Sequence, residues 1–561
     1  MIKVLGSGER PRRPSRVVGS AYVAAALALA TILAYIALTS RSDSPPQIAE
    51  FAPQAQKVIN NAPSEQTSTL GSAPGGAPAA VPSPSPATVP SDAMLHHCVG
   101  DPPRQIEDPQ SPPCVPFWKG KNGGATFNGV TPEEITVAVG QPQSWDTYDA
   151  GVTQATPALL NFFNKRFETY GRTIKVVPFT ASGGAVTNQH TDATTVADKN
   201  PFAVIPNDSY VNNADGANLY FNDDLARRHV ITMLNEQNTT LTTSHLAAMA
   251  PYEWSYFQTL DQDEANMAEM ICKELNGKQP RWAGPSVATA PKRVFGVIHE
   301  VAPDGTNYED ATLLNGLATC GVTPFVTTYH GGYDAATYDS AISQMQTNHV
   351  TTITCLCQGN DLPGWETTAE SQSYVPEWLI NGNLQDNDDQ GELGEEQASA
   401  EASHRIGIST LNKMLPLTSM PWWWAVSEGN PASNAAEYQG NDWYYGANYM
   451  YLGLLALVSG IQLAGPNLTP ATFERGLQRA VFANPGSGGP PLYQARVGFA
   501  GGSHTMVQDV TPIWWSANAQ STYWAGYSGG KGTWCYLDRG VRFGVGEWPR
   551  KEPDMFNGPC Q

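Results

Sequence analysis

The runs Ile135-Thr136-Val137-Ala138-Val139-Gly140 and Val294-Phe295-Gly296-Val297-Ile298 decide the fold of this chain. Each is a short apolar stretch that opens a series in which predicted strands alternate with predicted helices. Such alternation is typical of parallel sheets, because two parallel neighbours need a crossover connection, usually a helix. The sequence therefore predicts an α/β protein with two doubly wound parallel-sheet lobes.

Local signals place the elements within this frame. Thr156 is predicted to cap the helix that follows the first strand, with Pro157 in its first turn and Gly171 at its end. A strand at 377–380 is predicted to lead back toward the first lobe. The apolar stretch 449–463 is shorter than about 20 residues, the length of a membrane span, so it predicts a buried core helix.

Length and charge limit the partners of the folded part. The chain has 561 residues and a formal net charge of −20. Its length is sufficient for two or three domains. A surface this acidic repels nucleic acid and anionic lipid headgroups, so neither is predicted as a partner.

The N-terminal region predicts membrane attachment. Between Arg16 and Arg41 lie 24 uncharged, mostly apolar residues, which as a helix would span about 36 Å, enough for a hydrocarbon core of about 30 Å. Basic residues before them predict a cytoplasmic tail at 1–16, an anchor at 17–40 and an extracellular remainder. A cleaved signal peptide is the alternative interpretation. The Pro-, Ala- and Ser-rich residues 41–95 predict an extended linker.

The cysteines agree with export to an oxidising compartment, since the chain has eight of them, an even number. Cys355 and Cys357 would face one side of a strand, either as a bridge or as free thiols. No histidine or cysteine set has the spacing of a zinc site, so neither a metal nor a cofactor is predicted. Proximity along the chain favours three disulfides, Cys98–Cys114 (within a pinned loop at 96–124), Cys272–Cys320 and Cys535–Cys560.

The segment Gly129-Val130-Thr131-Pro132-Glu133-Glu134-Ile135-Thr136-Val137 resembles the start of the type I periplasmic-binding-fold proteins, the substrate-binding proteins of branched-chain amino acid ABC importers. The stretch from Asn164 to Ile174 is similar to a turn of that family but lacks its paired glycines. Two further runs, 374–379 and 464–470, resemble its divergent, membrane-anchored branch in actinobacteria. The resemblance covers about residues 125 to 550 and concerns fold more than ligand.

This resemblance implies two α/β lobes, discontinuous in sequence, joined by a three-strand hinge and closing over a small ligand. By that analogy, lobe one takes residues 125–250 and 380–480, and lobe two takes residues 251–379 and 481–561. An ABC permease in the membrane is the implied partner.

Candidate ligand-binding residues follow the predicted strands, because ligands of open α/β sheets bind beyond the carboxyl ends of the strands. Tyr252 and Trp254, near the first crossing between lobes, could stack on a ligand. Asn and Asp are also common loop formers, so each single residue has a structural alternative. The candidates after strands are Trp145, Asp208, Ser209, Asn235, Glu300, Asp304, Tyr329, Asn360, Asp361 and Asn383.

The chemistry of these residues favours binding over catalysis. No nucleophile elbow, zinc-protease motif or phosphate loop is present in the sequence. The several acids predict a polar or zwitterionic, amino-acid-like ligand that carries an amine, held by a membrane-anchored solute-binding protein without covalent chemistry. The alternatives are a surface receptor or sensor ectodomain of the same fold and an extracellular cell-wall hydrolase.

Overall fold

The computed structural model describes residues 97–141, 147–183, 185–207, 219–234, 241–301, 310–330, 334–357, 361–381, 403–410, 420–427, 443–484, 495–520, 531–550, 556 and 560. Residues 84–561 form one compact unit. The predicted cytoplasmic tail, anchor and linker lie outside the described residues.

The first sheet has five parallel strands, as the alternating pattern predicts. After a short hairpin of β1 (Cys98–Val99) and β2 (Arg104–Gln105), its strands are β3 (Glu134–Gln141), β4 (Thr173–Thr180), β5 (Ala203–Ile205), β6 (Ile231–Leu234) and β7 (Glu253–Ser255). Their order across the sheet is β4-β3-β5-β6-β7, and all four strand pairs are parallel. The helices between them are α1 (Thr147–Arg166), α2 (Val186–Ala197), α3 (Leu219–Arg227) and α4 (Thr243–Ala248).

The start of α1 differs from the prediction. Thr156 and Pro157 lie inside the helix, which begins at Thr147. The Thr156 hydroxyl donates to the Val152 carbonyl at 2.6 Å, so it bonds back within the helix rather than capping it. A proline lacks only one backbone donor, and the packing of α1 against the sheet outweighs that loss.

Helices from the C-terminal half of the chain complete the first core. They are α9 (Pro421–Val426), α10 (Trp443–Ala464) and α11 (Pro470–Arg479). Within the described residues, Gly446–Ala464 is the one stretch of helix long and apolar enough to cross a membrane, but 83% of its apolar window is buried inside the protein. Its side chains pack with those of β3 and α1 in one hydrophobic cluster. The prediction of a core helix there is confirmed.

The second sheet has seven strands. They are β8 (Phe295–Val301), β9 (Phe325–His330), β10 (Thr352–Leu356), β11 (Glu377–Ile380), β12 (Arg405–Ser409), β13 (Thr511–Gln520) and β14 (Lys531–Tyr536). Their order across the sheet is β14-β13-β12-β11-β10-β8-β9. Strands β8 to β12 are parallel, while β13 and β14 are antiparallel additions at one edge. The helices are α5 (Leu260–Met270, extended by a π turn at Ile271–Leu275), α6 (Ala311–Ala318), α7 (Ala335–Thr347) and α8 (Leu362–Ser371).

The sheets differ from the implied lobe boundaries at three places. Strand β7 (Glu253–Ser255) lies in the first sheet, although 251–379 is predicted for lobe two. The strand at 377–380 does not lead back to the first lobe, because β11 pairs with β10 and with β12 inside the second sheet. Residues 405–409 therefore belong to the second sheet, although 380–480 is predicted for lobe one. Conversely, Val497, Phe499 and Val507 pack in the first core, although 481–561 is predicted for lobe two.

The chain passes three times between the two sheets. The first passage joins β7 to α5, and the second joins β12 to α9 through residues outside the described part. The third runs from Val507 into β13. The first and third passages lie side by side, since the Ser255 amide donates to the His504 carbonyl at 2.9 Å and the Val507 amide donates to the Tyr256 carbonyl at 2.9 Å.

Four disulfides contain all eight cysteines. Three of them are the pairs that proximity favours, Cys98–Cys114, Cys272–Cys320 and Cys535–Cys560. The fourth joins Cys355 to Cys357 across a single residue at the end of β10. This pair is therefore a bridge rather than two free thiols.

The disulfide-pinned loop is held against α10 by a buried carboxyl group. Asp108 accepts a hydrogen bond from the Tyr451 hydroxyl at 2.9 Å and another from the Gln110 amide at 3.1 Å. Burial raises the pKa of Asp108 to about 6, although these hydrogen bonds oppose the rise. Because the folded-state pKa exceeds the unfolded-state value, the charged form of Asp108 is penalised in the folded protein.

We expect Asp108→Asn to change the pH dependence of stability. For the wild type, the contribution of Asp108 is greatest at acid pH and is lost as pH rises through about 6. The wild type should therefore lose about 2 kcal/mol of unfolding free energy, relative to Asp108→Asn, between pH 4 and pH 8. Urea unfolding of both proteins at the two pH values measures this difference, and parallel pH profiles would contradict it.

Candidate functional site

The carboxyl ends of neighbouring strands in the second sheet bring three of the predicted polar residues together. Glu300 of β8 and Tyr329 of β9 are register partners, so their side chains lie on the same face of the sheet. Asp361 comes shortly after β10, at the start of α8. The Tyr329 hydroxyl donates to the Asp361 carboxylate at 2.6 Å. We call Glu300, Tyr329 and Asp361 the acidic edge.

Aromatic packing holds Tyr329 in position. Its ring lies edge-on to Trp365 of α8, with 5.0 Å between the ring centroids, and 5.7 Å from Tyr338 of α7. Tyr338 and Trp365 stack on each other at 3.6 Å with an angle of 7° between their planes. Because these rings are buried, the Tyr329 hydroxyl has a fixed direction and can serve as a rigid donor.

The electrostatics of the acidic edge follow from burial and like charge. Burial and the negative charges of Glu300 and Asp361 raise the pKa of Tyr329 far above its usual value, so its hydroxyl stays protonated and donates. Burial also raises the pKa of Asp361, while the hydrogen bond from Tyr329 opposes the rise. Two carboxyl groups thus lie near one neutral donor. A cationic group would be stabilised beside them.

In the first sheet, Asn207 fixes the corresponding edge. It follows β5, is buried, and has a positive φ of 46°. Its side-chain amide donates to the Gly140 carbonyl near the end of β3 at 2.9 Å. The hydrogen bond ties the carboxyl ends of two adjacent strands together, and residues 142–146 and 208–218, which leave from these ends, lie outside the described residues.

Seven of the predicted ligand-binding residues lie outside the described part of the chain, so their roles stay predictions. In sequence, all seven follow strands that the structure describes. They are Trp145, Asp208, Ser209, Asn235, Asp304, Asn360 and Asn383.

Trp254 is a core residue, and the prediction that it stacks on a ligand is wrong. Its ring is fully buried and contacts Phe473, Phe499 and His504, with the His504 ring centroid at 4.2 Å. Its indole N–H donates to the Pro251 carbonyl at 2.8 Å. These contacts come from residues in the distant C-terminal half of the chain, of which Phe473 lies in α11.

Tyr252 also lies away from the predicted cleft. It immediately precedes β7, so it sits at the amino end of that strand, whereas ligands of such sheets bind beyond the carboxyl ends. Its ring stacks on His229 at 5.3 Å, and His229 precedes β6 on the same edge. The proximity of Tyr252 to the first passage in sequence does not place it near the passage in space.

His299 is a polar residue of this region that the sequence does not single out. It is buried beside Glu300 but on the opposite face of β8, since successive residues of a strand alternate. Its Nδ1 atom lies 2.9 Å from the carboxylate of Asp310, which precedes α6. The contact fixes the start of α6 and is structural. Only the alternation of the strand could have indicated that His299 and Glu300 have different roles.

A polar cavity of about 420 Å³ lies beside the first and third passages between the sheets. The residues that line it include Gln258, Gln262, Arg496, Gln508 and Glu547. Arg496 is paired with Asp509 at 2.5 Å and also contacts Glu547. Its charge is therefore already balanced, and the cavity offers mainly amide groups.

Comparison of the sequence with protein-family models finds no match, and comparison with curated proteins finds none either. Solved structures do match. A solute-binding protein of an ABC transporter from R. palustris, in complex with 4-hydroxybenzoate, has a TM-score of 0.50 at 9% identity, over 74% of this chain and 99% of that chain. A type 1 periplasmic binding protein from Bordetella pertussis Tohama I has a TM-score of 0.46 at 14% identity, over 68% of this chain and 96% of that chain.

The chain has the fold of the type I periplasmic binding proteins. A fatty acid ABC transporter substrate-binding protein from Thermomonospora curvata is also similar, with a TM-score of 0.48 at 14% identity, over 78% of this chain and 99% of that chain. Identities this low concern the fold alone. Within that fold, the acidic edge lies at the carboxyl ends of strands in the second sheet, the side on which open α/β sheets bind ligands.

Proposed function

We propose that the chain is a membrane-anchored, extracellular solute-binding protein that captures a small polar or zwitterionic ligand by closing its two lobes. The fold supports this proposal, because two α/β lobes linked by passing segments allow hinge closure around a ligand. The anchor at 17–40 would hold the binding unit outside the membrane, and an ABC permease in that membrane would be its partner.

The observation that carries the proposal is the acidic edge. Glu300, Tyr329 and Asp361 come from three consecutive strand–helix units and meet at one edge of the sheet. Their arrangement, with two carboxyl groups and one fixed hydroxyl, favours an ammonium group over an anion. An amino-acid-like ligand would place its amine here and its carboxylate toward the first lobe, where Ser209 and backbone amides are predicted to bind it.

A ligand screen tests the proposal. The compact unit 84–561 is subjected to thermal unfolding in the presence of amino acids, polyamines, short peptides, sugars, nucleosides and aromatic acids. A ligand at 100 times its dissociation constant should add about 2.7 kcal/mol to stability. We expect a saturable rise in Tm with a compound that carries an amine. A folded protein that responds to none of these classes would contradict solute binding.

We expect Asp361→Asn to lower the affinity for an amine ligand by about 10- to 100-fold, because a hydrogen bond to a charged group contributes about 1.5–3 kcal/mol. Titration calorimetry with the compound found in the screen measures this change. Asp198→Asn is the matched control. Asp198 is exposed and precedes β5, so it lies toward the amino ends of the strands, away from the predicted cleft. Equal affinities of Asp361→Asn and wild type would remove the acidic edge from the binding site.

A further inference from the structure

Three side chains from separate elements converge at the outer edge of the first sheet, away from the acidic edge. Asp223 lies in α3, His245 in α4, and Glu253 is the first residue of the edge strand β7. Each offers one potential ligand atom, and these atoms all lie within 4.8 Å of one another. Because Glu253 is at the amino end of β7, this group is separate from the ligand cleft proposed above.

The distances resemble those of a metal coordination shell. The Nε2 atom of His245 lies 3.1 Å from Oδ1 of Asp223 and 3.0 Å from Oε2 of Glu253. Around zinc, ligand atoms about 2.0–2.1 Å from the ion are separated from one another by about 3.3 Å in a tetrahedral arrangement. A zinc ion placed between these atoms could therefore take all three as ligands, with a fourth position open to water.

Glu253 supplies an independent indication that a cation belongs here. Its side chain is fully buried, and its Oε1 atom has no hydrogen-bond partner. A buried carboxylate without full compensation is costly. The nearby carboxylate of Asp223 adds like charge to the same space. A divalent cation would compensate both carboxylates at once.

Neighbouring residues orient the group. Arg227 donates to Oδ2 of Asp223 at 3.0 Å, which leaves Oδ1 directed at His245. The His245 backbone amide donates to the hydroxyl of Thr242, the residue that caps α4, at 3.2 Å. In protein metal sites, hydrogen bonds from neighbouring residues hold the metal ligands in position. The remaining charged groups nearby, Asp224 and His190, pair with each other at 2.6 Å.

We propose that Asp223, His245 and Glu253 bind a divalent transition-metal ion of the zinc class. The mixture of one imidazole and two carboxylates suits zinc or its first-row neighbours better than calcium, which takes oxygen ligands only. The ion would join α3 and α4 to the buried edge strand β7. All eight cysteines are in disulfides, so thiolates do not compete for the ion.

Titration calorimetry on the full chain, freed of metal by a chelator, tests this site. We expect one equivalent of Zn²⁺ to bind, Ca²⁺ to bind far more weakly, and bound Zn²⁺ to raise Tm by a few degrees. His245→Gln and Glu253→Gln should each lower the Zn²⁺ affinity by at least about tenfold.

His190→Gln is the matched control, because it removes a neighbouring imidazole that pairs with Asp224 and leaves the three ligands in place. The visible spectrum of bound Co²⁺ shows whether each variant keeps the coordination shell. Circular dichroism shows separately whether the variant is folded. The proposal is overturned if the folded wild type does not bind Zn²⁺ stoichiometrically. It is also overturned if His190→Gln weakens Zn²⁺ binding as much as His245→Gln does. Unchanged affinity in Glu253→Gln would overturn it as well.

Discussion

Glu366→Gln is expected to lower the free energy of unfolding by about 3–5 kcal/mol, the usual cost of removing one partner from a buried ion pair. Glu366 of α8 accepts two hydrogen bonds from Arg405 of β12, from Nε and from Nη2, each at 2.7 Å. Both side chains are almost fully buried. The substitution leaves the charge of Arg405 inside the protein without its counter-charge.

Two further variants separate charge from packing. Glu134→Gln removes an exposed ion pair with Lys175 and should change stability by about 1 kcal/mol or less. Replacing both buried partners, with Glu366→Leu and Arg405→Met in one chain, should recover most of the loss, because no charge is then left buried. Urea unfolding measures all three. A loss in Glu366→Gln no greater than that in Glu134→Gln would show that the buried pair contributes little.

The same substitution should weaken ligand binding without touching the ligand. Arg405 anchors α8 to β12, and α8 begins at Leu362, directly after Asp361 of the acidic edge. Trp365, next to Glu366 in α8, packs against Tyr329. A loosened α8 would therefore release both the carboxylate and the hydroxyl of the acidic edge. We expect stability and affinity to fall together in Glu366→Gln, whereas Asp361→Asn lowers affinity alone.

Local sequence patterns predict most of the parallel strands because each strand is a short apolar run between helical segments. The strand predicted at 377–380 coincides with β11 (Glu377–Ile380). Local patterns do not predict which strands β11 pairs with. Pairing with β12 depends on residues far along the chain, and nothing local distinguishes a strand that stays in its sheet from one that crosses to the other lobe.

The site shows the same division between local and long-range information. The rule that ligands bind beyond the carboxyl ends of strands predicts Glu300, Tyr329 and Asp361, and the structure brings these three together. The separate expectation that Trp254 stacks on a ligand, which came from its closeness to the first crossing, is wrong. Its surroundings include Phe473 and His504, more than 200 residues away along the chain. Aromatic residues near a crossing are therefore poor indicators of a ligand site when the covering helices are unknown.

Gly129→Ala is the substitution with the second large expected effect, a loss of about 3 kcal/mol or more in unfolding free energy. Gly129 has a positive φ of 68°, which alanine adopts only with strain, and an added Cβ would lie 2.1 Å from the Phe202 backbone nitrogen. That nitrogen donates to the Thr136 carbonyl where β3 and β5 meet. The clash is with backbone, so no side-chain movement can relieve it.

Gly171→Ala separates the two causes. Gly171 has a φ of 77°, yet an added Cβ would have nothing within 4 Å. Gly171→Ala should therefore lower the free energy of unfolding only by the backbone strain, about 1–2 kcal/mol. The difference between the two variants in urea unfolding measures the backbone clash at Gly129, and equal losses would show that β5 can move away from β3. Because residues 142–146 and 208–218 leave from the carboxyl ends of β3 and β5, a clash should also lower ligand affinity in Gly129→Ala and leave it unchanged in Gly171→Ala.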